Sequence, residues 1–77
     1  MKIHVYAALK EHFDPEFELD GVVRDTTELK ARLRALNAHA AGLLDICRFA
    51  VADGFIDADF KLKEYDTVVI IPPASGG

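Results

Sequence analysis

The sequence ends in Thr67-Val68-Val69-Ile70-Ile71-Pro72-Pro73-Ala74-Ser75-Gly76-Gly77, and this segment indicates the fold more clearly than any other. Residues 68–71 are all apolar and, with Thr67, predict a last strand that has apolar side chains on both faces. Pro72 lacks a backbone N–H and cannot continue a ladder of hydrogen bonds, so we expect the strand to end there. If the strand is central and a helix covers one face, its other face remains open to a partner.

Shorter runs predict the other strands of the same sheet. In the first of them apolar and polar residues alternate, with Ile3, Val5 and Ala7 on one face. Turn signals separate the remaining strands. In chain order we predict strands over residues 2–9, 17–19, 48–52 and 55–56, a hairpin turn at Asp53-Gly54, and a turn over residues 63–66 before the last strand.

One helix is predicted between the second and third strands. Asp25-Thr26-Thr27-Glu28 has the pattern of a capping box, in which Asp25 accepts from a backbone N–H of the first turn and Glu28 reaches back to the N–H of the cap. Apolar residues then follow at helical spacing, and burial of each contributes roughly 1.5–3 kcal/mol. These residues are Leu29, Leu33 and Leu36, and the candidate ends of the helix are Asn37 and Gly42.

The order ββαβ(β)β, with one helix packed across one mixed sheet, predicts an α+β fold of the β-grasp, or ubiquitin-like, type. The 77 residues allow one small domain, and the 51% of apolar and 29% of charged residues are typical of a globular chain. We therefore expect a β-grasp domain over residues 1–71 and an extended tail over residues 72–77.

Composition argues against several classes of function. The net charge of −4 gives no basic surface for nucleic acid, and scattered basic residues do not favour a membrane surface. No apolar run approaches the roughly 20 residues of a spanning helix. A strand-like pattern begins at once, so we expect no signal peptide and a cytoplasmic protein.

Cysteine and histidine give no sign of a metal or redox site. The single cysteine, Cys47, lies between apolar neighbours and is expected to be a small buried hydrophobe rather than a sulfur relay. His4, His12 and His39 are not spaced as metal ligands, so no metal site is expected.

The tail combines features that suit chemistry at a chain terminus. Glycine has no Cβ, so Gly76-Gly77 forms a backbone thin enough for a narrow enzyme channel. The proline pair favours an extended stem, and residues 74–77 reach at most about 13–14 Å when fully extended. We expect the carboxylate of Gly77 to be the reactive group.

The chain from Cys47 to Gly77 resembles the MoaD family, the small sulfur-carrying subunit of molybdopterin synthase. The two-proline, small-small-Gly-Gly ending is the specific part, because every ubiquitin-like carrier ends in Gly-Gly. Other matching features are Tyr6-Ala7-Ala8-Leu9-Lys10-Glu11, Ala50-Val51 leading to an aromatic residue on the return strand, Leu62, and Asp66-Thr67-Val68. The family usually has asparagine where Ala52 stands and glycine where Tyr65 stands, and Tyr65 at positive φ would be strained.

The resemblance implies a thiocarboxylate cycle. A ubiquitin-activating-type, MoeB-like enzyme uses ATP to adenylate Gly77, and sulfur then replaces the adenylate, so the sulfur is covalent and no cofactor is bound. The tail enters the large, MoaE-like subunit of molybdopterin synthase, where two carriers supply the dithiolene sulfurs to cyclic pyranopterin monophosphate. An ionised carboxylate is a poor acyl donor and needs such activation. The chain has no positioned base or nucleophile, so we expect a sulfur-donating subunit that is not catalytic alone.

The resemblance also implies a hydrophobic docking surface. Tyr6, Phe55 and Ile71 match family positions on that surface, although Phe55 and Ile71 could instead fill the core. Large apolar patches on small domains usually mark binding sites. The remaining expected contacts are Val69 beside Ile71, Pro72 and Pro73 at the start of the tail, Lys10 and Arg48 at the rim, and a solvated acidic rim formed by Asp57, Asp59, Glu64 and Asp66.

Other functions remain open at this point. A ThiS-type carrier for thiamin thiazole, or a carrier for another sulfur acceptor, shares the Gly-Gly ending but usually lacks the double proline. A ubiquitin-like modifier of protein lysines shares the chemistry up to the adenylate. A plain β-grasp interaction module with an inert tail fits the prolines and small residues least well.

Overall fold

The computed structural model describes residues 1–73, which form a five-stranded sheet crossed by a helix. The strands are β1 (Lys2–Val5), β2 (Glu16–Glu18), β3 (Arg48–Val51), β4 (Gly54–Ile56) and β5 (Thr67–Ile71), and the helices are α1 (Thr26–Leu36) and α2 (Ala41–Ile46). Two 3-10 helices span Ala7–Glu11 and Ala38–Ala40. Residues 74–77, which include the predicted reactive Gly76 and Gly77, lie outside the described residues.

The sheet has the order β2-β1-β5-β3-β4, so the last strand of the chain is the central one. Strand β5 runs parallel to β1 and antiparallel to β3. This mixed sheet with a helix packed across it confirms the predicted β-grasp fold. Residues 67–70 of β5 pair with β1, and residues 68–71 pair with β3.

The core lies between α1 and one face of the sheet. Val68 and Ile70 of β5 and Leu29 and Leu33 of α1 are fully buried in one hydrophobic cluster. The other members of this cluster are Ile3, Val5, Leu9, Leu19, Val23, Ala40, Leu44, Phe49 and Leu62. Alternate residues of β5 therefore face the core, because successive side chains of a strand point to opposite faces of the sheet.

The first strand is shorter than predicted, because it ends at Val5 instead of Leu9. Tyr6 stays extended and donates its N–H to the carbonyl of Ile70 at 3.2 Å. Ala7 has a φ of 53°, which turns the chain into the 3-10 helix and leaves Ala7 exposed. Leu9 returns to the core from that helix and is fully buried. The buried residues of this stretch therefore reach the core from two elements: Ile3 and Val5 from β1, and Leu9 from the 3-10 helix.

Both acidic residues of the predicted capping box cap the N-terminus of α1, but one of them accepts from a different N–H than expected. The Asp25 carboxylate accepts from the N–H of Glu28 at 2.8 Å, as expected. Glu28 accepts from the N–H of Arg24 at 3.2 Å, one residue before the cap N–H that was predicted. Both bonds satisfy backbone donors that precede the first helical hydrogen bond.

The C-terminal end of α1 corrects two predictions. The last residue of α1 is Leu36 and its C-cap is Asn37, one of the two predicted ends. Leu36 itself is 59% exposed and does not join the core. Asn37 accepts from the N–H of His39 and so begins a new 3-10 helix, which continues into α2. Gly42 lies inside α2 instead of ending a helix. The turn chemistry of Asn37 therefore starts a second helical segment that the leucine spacing did not reveal.

The two positions that depart from the MoaD pattern have different backbones. The hairpin between β3 and β4 turns at Ala52 and Asp53, one residue earlier than predicted, and Ala52 has a φ of 55°. Within residues 1–73 Ala7 and Ala52 are the non-glycine residues at positive φ, so Tyr65 escapes the strain considered for it. The turn at Tyr65 is closed by Asp66, whose carboxylate accepts from the N–H of Lys63 at 2.8 Å.

Candidate functional site: the uncovered face of the sheet

The face of the sheet opposite α1 carries a row of side chains from four strands, and all but one of them are apolar. Val69 of β5 has Ala50 of β3 as its partner on one side and His4 of β1 on the other. Ala50 in turn has Phe55 of β4 as its partner. Because directly paired residues point to the same side of a sheet, Phe55, Ala50, Val69 and His4 lie side by side.

A second row crosses the same face one step closer to the tail. Ile71 is paired with Arg48 of β3. Tyr6 follows Val5, whose partner is Ile70, and therefore lies on the other side of Ile71. We call the surface formed by Tyr6, Ala50, Phe55, Val69 and Ile71 the outer face. Neighbouring strands lie about 4.8 Å apart, so it extends roughly 14 Å from β1 to β4.

Exposure separates these side chains from the core. Phe55 is 56% exposed, Tyr6 46% and Ile71 37%, so Phe55 and Ile71 do not fill the interior. Val69 is half-buried among its neighbours in the sheet. A contiguous apolar surface of this kind on a small domain is typical of a protein interface. The sequence placed these residues together by strand parity and family position.

The tail leaves the sheet at the edge of the outer face. Pro72 directly follows Ile71 and is buried, whereas Pro73 is exposed. Pro72 therefore offers little surface to a partner. The strand ends at Ile71, next to Tyr6, and Pro72 follows it.

Charged side chains give the outer face two different edges. At the β3–β4 edge, the Arg48 guanidinium lies over the Phe55 ring, 3.8 Å from its centroid. At the β2 edge, Glu16 is 2.7 Å from His4 Nε2 and 3.9 Å from Lys2 Nζ. The sequence indicated Arg48 as a rim residue but missed the His4–Glu16 pair, since the pairing of β1 with β2 was not deduced. The even-numbered parity of β1 was the available signal for His4.

The predicted rim residues are mostly exposed. Asp57, Asp59 and Glu64 are exposed and follow β4 or precede β5, while the half-buried Asp66 closes its turn. Lys10 is exposed in the 3-10 helix after Tyr6. These acidic side chains are spread along residues 57–66. No hydrogen bond within residues 1–73 joins two of their carboxyl groups.

Cys47 lies away from the outer face, in a recess between α1 and the β3–β4 edge. The recess has a volume of about 430 Å³, and Lys30, Cys47 and Phe49 contribute to its wall. The half-buried thiol donates to the carbonyl of Leu43 at 3.1 Å. Burial raises the pKa of the Cys47 thiol, and the Lys30 ammonium opposes part of that shift. A thiol held protonated is a weak nucleophile.

Residues 1–73 contain neither a group of side chains suited to a metal ion nor a helix suited to a membrane. No three side chains among their histidines, cysteines, aspartates and glutamates are grouped so that they could hold a metal ion. None of their helices is long and apolar enough to span a bilayer.

The model of the ThiS family matches residues 3–77, which is nearly the whole chain and includes the double proline and both terminal glycines. The chain belongs to the ThiS family. Ubiquitin-like sulfur carriers of the ThiS and MoaD types fall together under this match, which does not separate one type from the other. A search of curated proteins found no match. In this ThiS-family chain, Tyr6 of the outer face lies beside Ile71, and Ile71 directly precedes Pro72 at the end of β5.

Proposed function

We propose that this ThiS-family protein is a MoaD-type sulfur carrier, and that the acting form ends at Gly77, whose carboxylate is converted to a thiocarboxylate. The observation that carries the sulfur-carrier function is the family match over residues 3–77, which extends through the Gly-Gly pair, while the choice of the MoaD type rests on the proline pair at residues 72–73. The proposed destination of the sulfur is cyclic pyranopterin monophosphate, held by a MoaE-like large subunit in the cytoplasm.

The chemistry requires an activating partner. A carboxylate is ionised at neutral pH and does not react with a sulfur donor, so a MoeB-like enzyme first joins Gly77 to AMP with release of pyrophosphate. A sulfur nucleophile then displaces AMP. The carrier supplies a terminus that fits a narrow channel and a surface that docks beside it, while catalytic groups and ATP belong to the partner.

The outer face supports this division of work. Tyr6, Phe55, Val69 and Ile71 form an exposed apolar surface beside the point where the tail leaves at Pro73. A partner that covers this surface also lies beside the end of β5, where the chain continues to Gly77. Docking and chemistry therefore use neighbouring but separate parts of the molecule.

A ThiS-type role in forming thiamin thiazole is the second candidate, because the family match does not distinguish it. The proline pair at residues 72–73 favours the MoaD type, since thiazole carriers usually lack it. The shared steps are adenylation and sulfur loading. The acceptor of the sulfur is therefore the point at which the two functions differ.

The deciding experiment offers the loaded carrier to both acceptors. The chain is made as the Gly77 thiocarboxylate by chemical ligation and incubated with the MoaE-like subunit and cyclic pyranopterin monophosphate, or with a thiazole synthase and its substrates. The matched control is the same chain with an ordinary carboxylate. We expect loss of sulfur from the carrier and formation of the dithiolene only in the first mixture. Sulfur transfer only in the second would replace the MoaD proposal with the ThiS alternative.

A further inference from the structure

Arg48 is a cation at the β3–β4 edge of the outer face, and it has no acidic partner in the described part of the chain. Its guanidinium lies over the Phe55 ring, while the ion pairs found within residues 1–73 use other cations. Asp45 and Asp57 line the recess beside β3 together with Arg48, but both are beyond ion-pair distance from it. The donors of Arg48 are thus not used by an acid of residues 1–73.

The position over the Phe55 ring prepares this guanidinium for a particular kind of contact. An aromatic ring below a guanidinium attracts its charge but does not use its in-plane N–H donors, which stay available to a partner. Two of these donors match the spacing of the two oxygens of a carboxylate. The contact with Phe55 also restricts the side chain before binding, so less conformational entropy is lost when a partner is bound.

Docking makes an acceptor for Arg48 necessary. A partner that covers Phe55 and Ile71 also removes water from Arg48, which is paired with Ile71 across the strands. Burying a guanidinium without a counter-charge is strongly unfavourable. A partner surface that fits this face therefore carries a carboxylate at the β3–β4 edge of its apolar patch.

The opposite edge disfavours the same group. At the β2 edge the cations already have acidic partners: Glu16 lies near Lys2 Nζ and His4 Nε2, and Glu18 lies 3.6 Å from the N-terminal ammonium. A partner carboxylate placed at that edge finds no unpaired cation there among residues 1–73, so the rotation that brings the carboxylate to Arg48 is favoured. In that rotation Arg48 is bound beside Ile71, where β5 ends and the tail begins.

We propose that Arg48 is a specificity-determining residue that forms an ion pair with a carboxylate of the adenylating enzyme and so sets the rotation in which the tail enters its active site. This inference rests on the proposed carrier function. The adenylating enzyme is the partner chosen because ThiS-type and MoaD-type carriers both require it.

The first test compares two arginines that differ in position. The probe is the ubiquitin-activating-type adenylating enzyme encoded in the same genome, titrated calorimetrically with the full chain. Arg48→Gln should weaken binding about tenfold or more, and added salt should reduce the difference from the unsubstituted chain. Arg24→Gln makes the same change in charge near the start of α1 and should alter binding by less than about twofold. Equal melting temperatures show that Arg48→Gln is folded.

The second test identifies the partner group. Arg48→Lys places a primary amine where the guanidinium lay, and a carbodiimide joins such an amine to a carboxylate within contact distance, with the elements of water taken up by the reagent. Mass spectrometry should locate an amide bond between position 48 and an aspartate or glutamate of the enzyme. Arg24→Lys is the matched control and should give no such bond.

The outcomes separate this inference from the function on which it rests. If the unsubstituted chain neither binds the enzyme nor is adenylated by it, the carrier function fails and this inference fails with it. If the chain binds normally but Arg48→Gln binds equally well, or position 48 links to no carboxylate, the role of Arg48 is wrong and the carrier function stands.

Discussion

At the scale of single residues, Ala52 is the clearest local compromise of the fold. Its φ of 55° places an L-residue with a Cβ in the left-handed region, which costs roughly 1–2 kcal/mol. The position turns the β3–β4 hairpin that presents Phe55. Asparagine, which the MoaD pattern usually has here, tolerates this conformation better than alanine does. The strain was not visible in the sequence because the predicted turn lay one residue later.

Ala52→Gly should therefore stabilise the protein by about 0.5–1 kcal/mol, since removal of the Cβ relieves more strain than the added freedom of the unfolded chain takes away. Urea denaturation followed by circular dichroism measures the change. Ala58→Gly, in an exposed loop without positive φ, is the control and should be neutral or slightly destabilising. A destabilised Ala52→Gly would show that the hairpin is not strained at this position.

Cys47 gives a second prediction for a single residue. Because burial raises the pKa of its thiol, the folded protein holds the proton to higher pH than the unfolded chain does. The contribution to stability is thus present below the ordinary thiol pKa and is lost as pH rises through the raised value. Alkylation by iodoacetamide should accelerate at a higher pH in the folded protein than in urea. Identical pH profiles in both states would contradict this shift.

At the scale of elements, α1 shows how far periodicity alone carries a prediction. The capping residue, the start of the helix and the buried Leu29 and Leu33 follow from spacing and cap chemistry. Leu36 has the same spacing but lies in the last turn of α1 and stays exposed. Periodicity indicates which side of a helix is apolar, but it does not indicate how far along the helix burial extends.

Leu33→Ala and Leu36→Ala should differ by several-fold in their effect on stability. The first removes fully buried atoms and leaves a cavity, which costs about 2–5 kcal/mol. The second removes atoms that are mostly in water and should cost less than about 1 kcal/mol, so it serves as the matched control. Denaturant midpoints provide the comparison. Similar losses for both would place Leu36 in the core after all.

The missed elements have a common physical cause. Residues 2–9 and 37–46 each contain a backbone change that an apolar pattern does not encode: the positive φ of Ala7, and the Asn37 side chain that begins a second helical segment. In both places the buried residues, Leu9 and Leu44, reach the core through a short helix. The sequence predicted these two stretches less well, because neither backbone change follows from the spacing of apolar residues.

At the scale of the whole molecule, one sheet separates stability from binding. The inner face of β5 contributes Val68 and Ile70 to the core, and its outer face presents Val69 and Ile71. The sequence predicted that both faces of this strand are apolar, and the family resemblance with strand parity placed Ile71 and Val69 on the docking side. The charge pattern of the two edges could not be predicted, since it depends on which strands lie beside β1 and β3.

Phe55→Ala should weaken binding to the adenylating enzyme by 2 kcal/mol or more, as is common for an aromatic anchor near the centre of an interface. The change in stability should be smaller, because more than half of the Phe55 side chain is already exposed. Phe60→Ala is the control, since Phe60 lies in the loop after β4 and is partly exposed. Calorimetric titrations and thermal melts test the pair. Unchanged affinity with a large loss of melting temperature would assign Phe55 to the core.

Intact-mass spectrometry shows whether the carboxylate of Gly77 carries the sulfur. The full chain and a variant that lacks Gly77 are each incubated with the adenylating enzyme, ATP and a sulfur donor. We predict that the full chain gains the mass of one sulfur in place of one oxygen, that fragmentation locates the change at Gly77, and that the variant gains nothing. Sulfur found at any other residue, such as Cys47, or equal loading of the variant that lacks Gly77, would contradict the account.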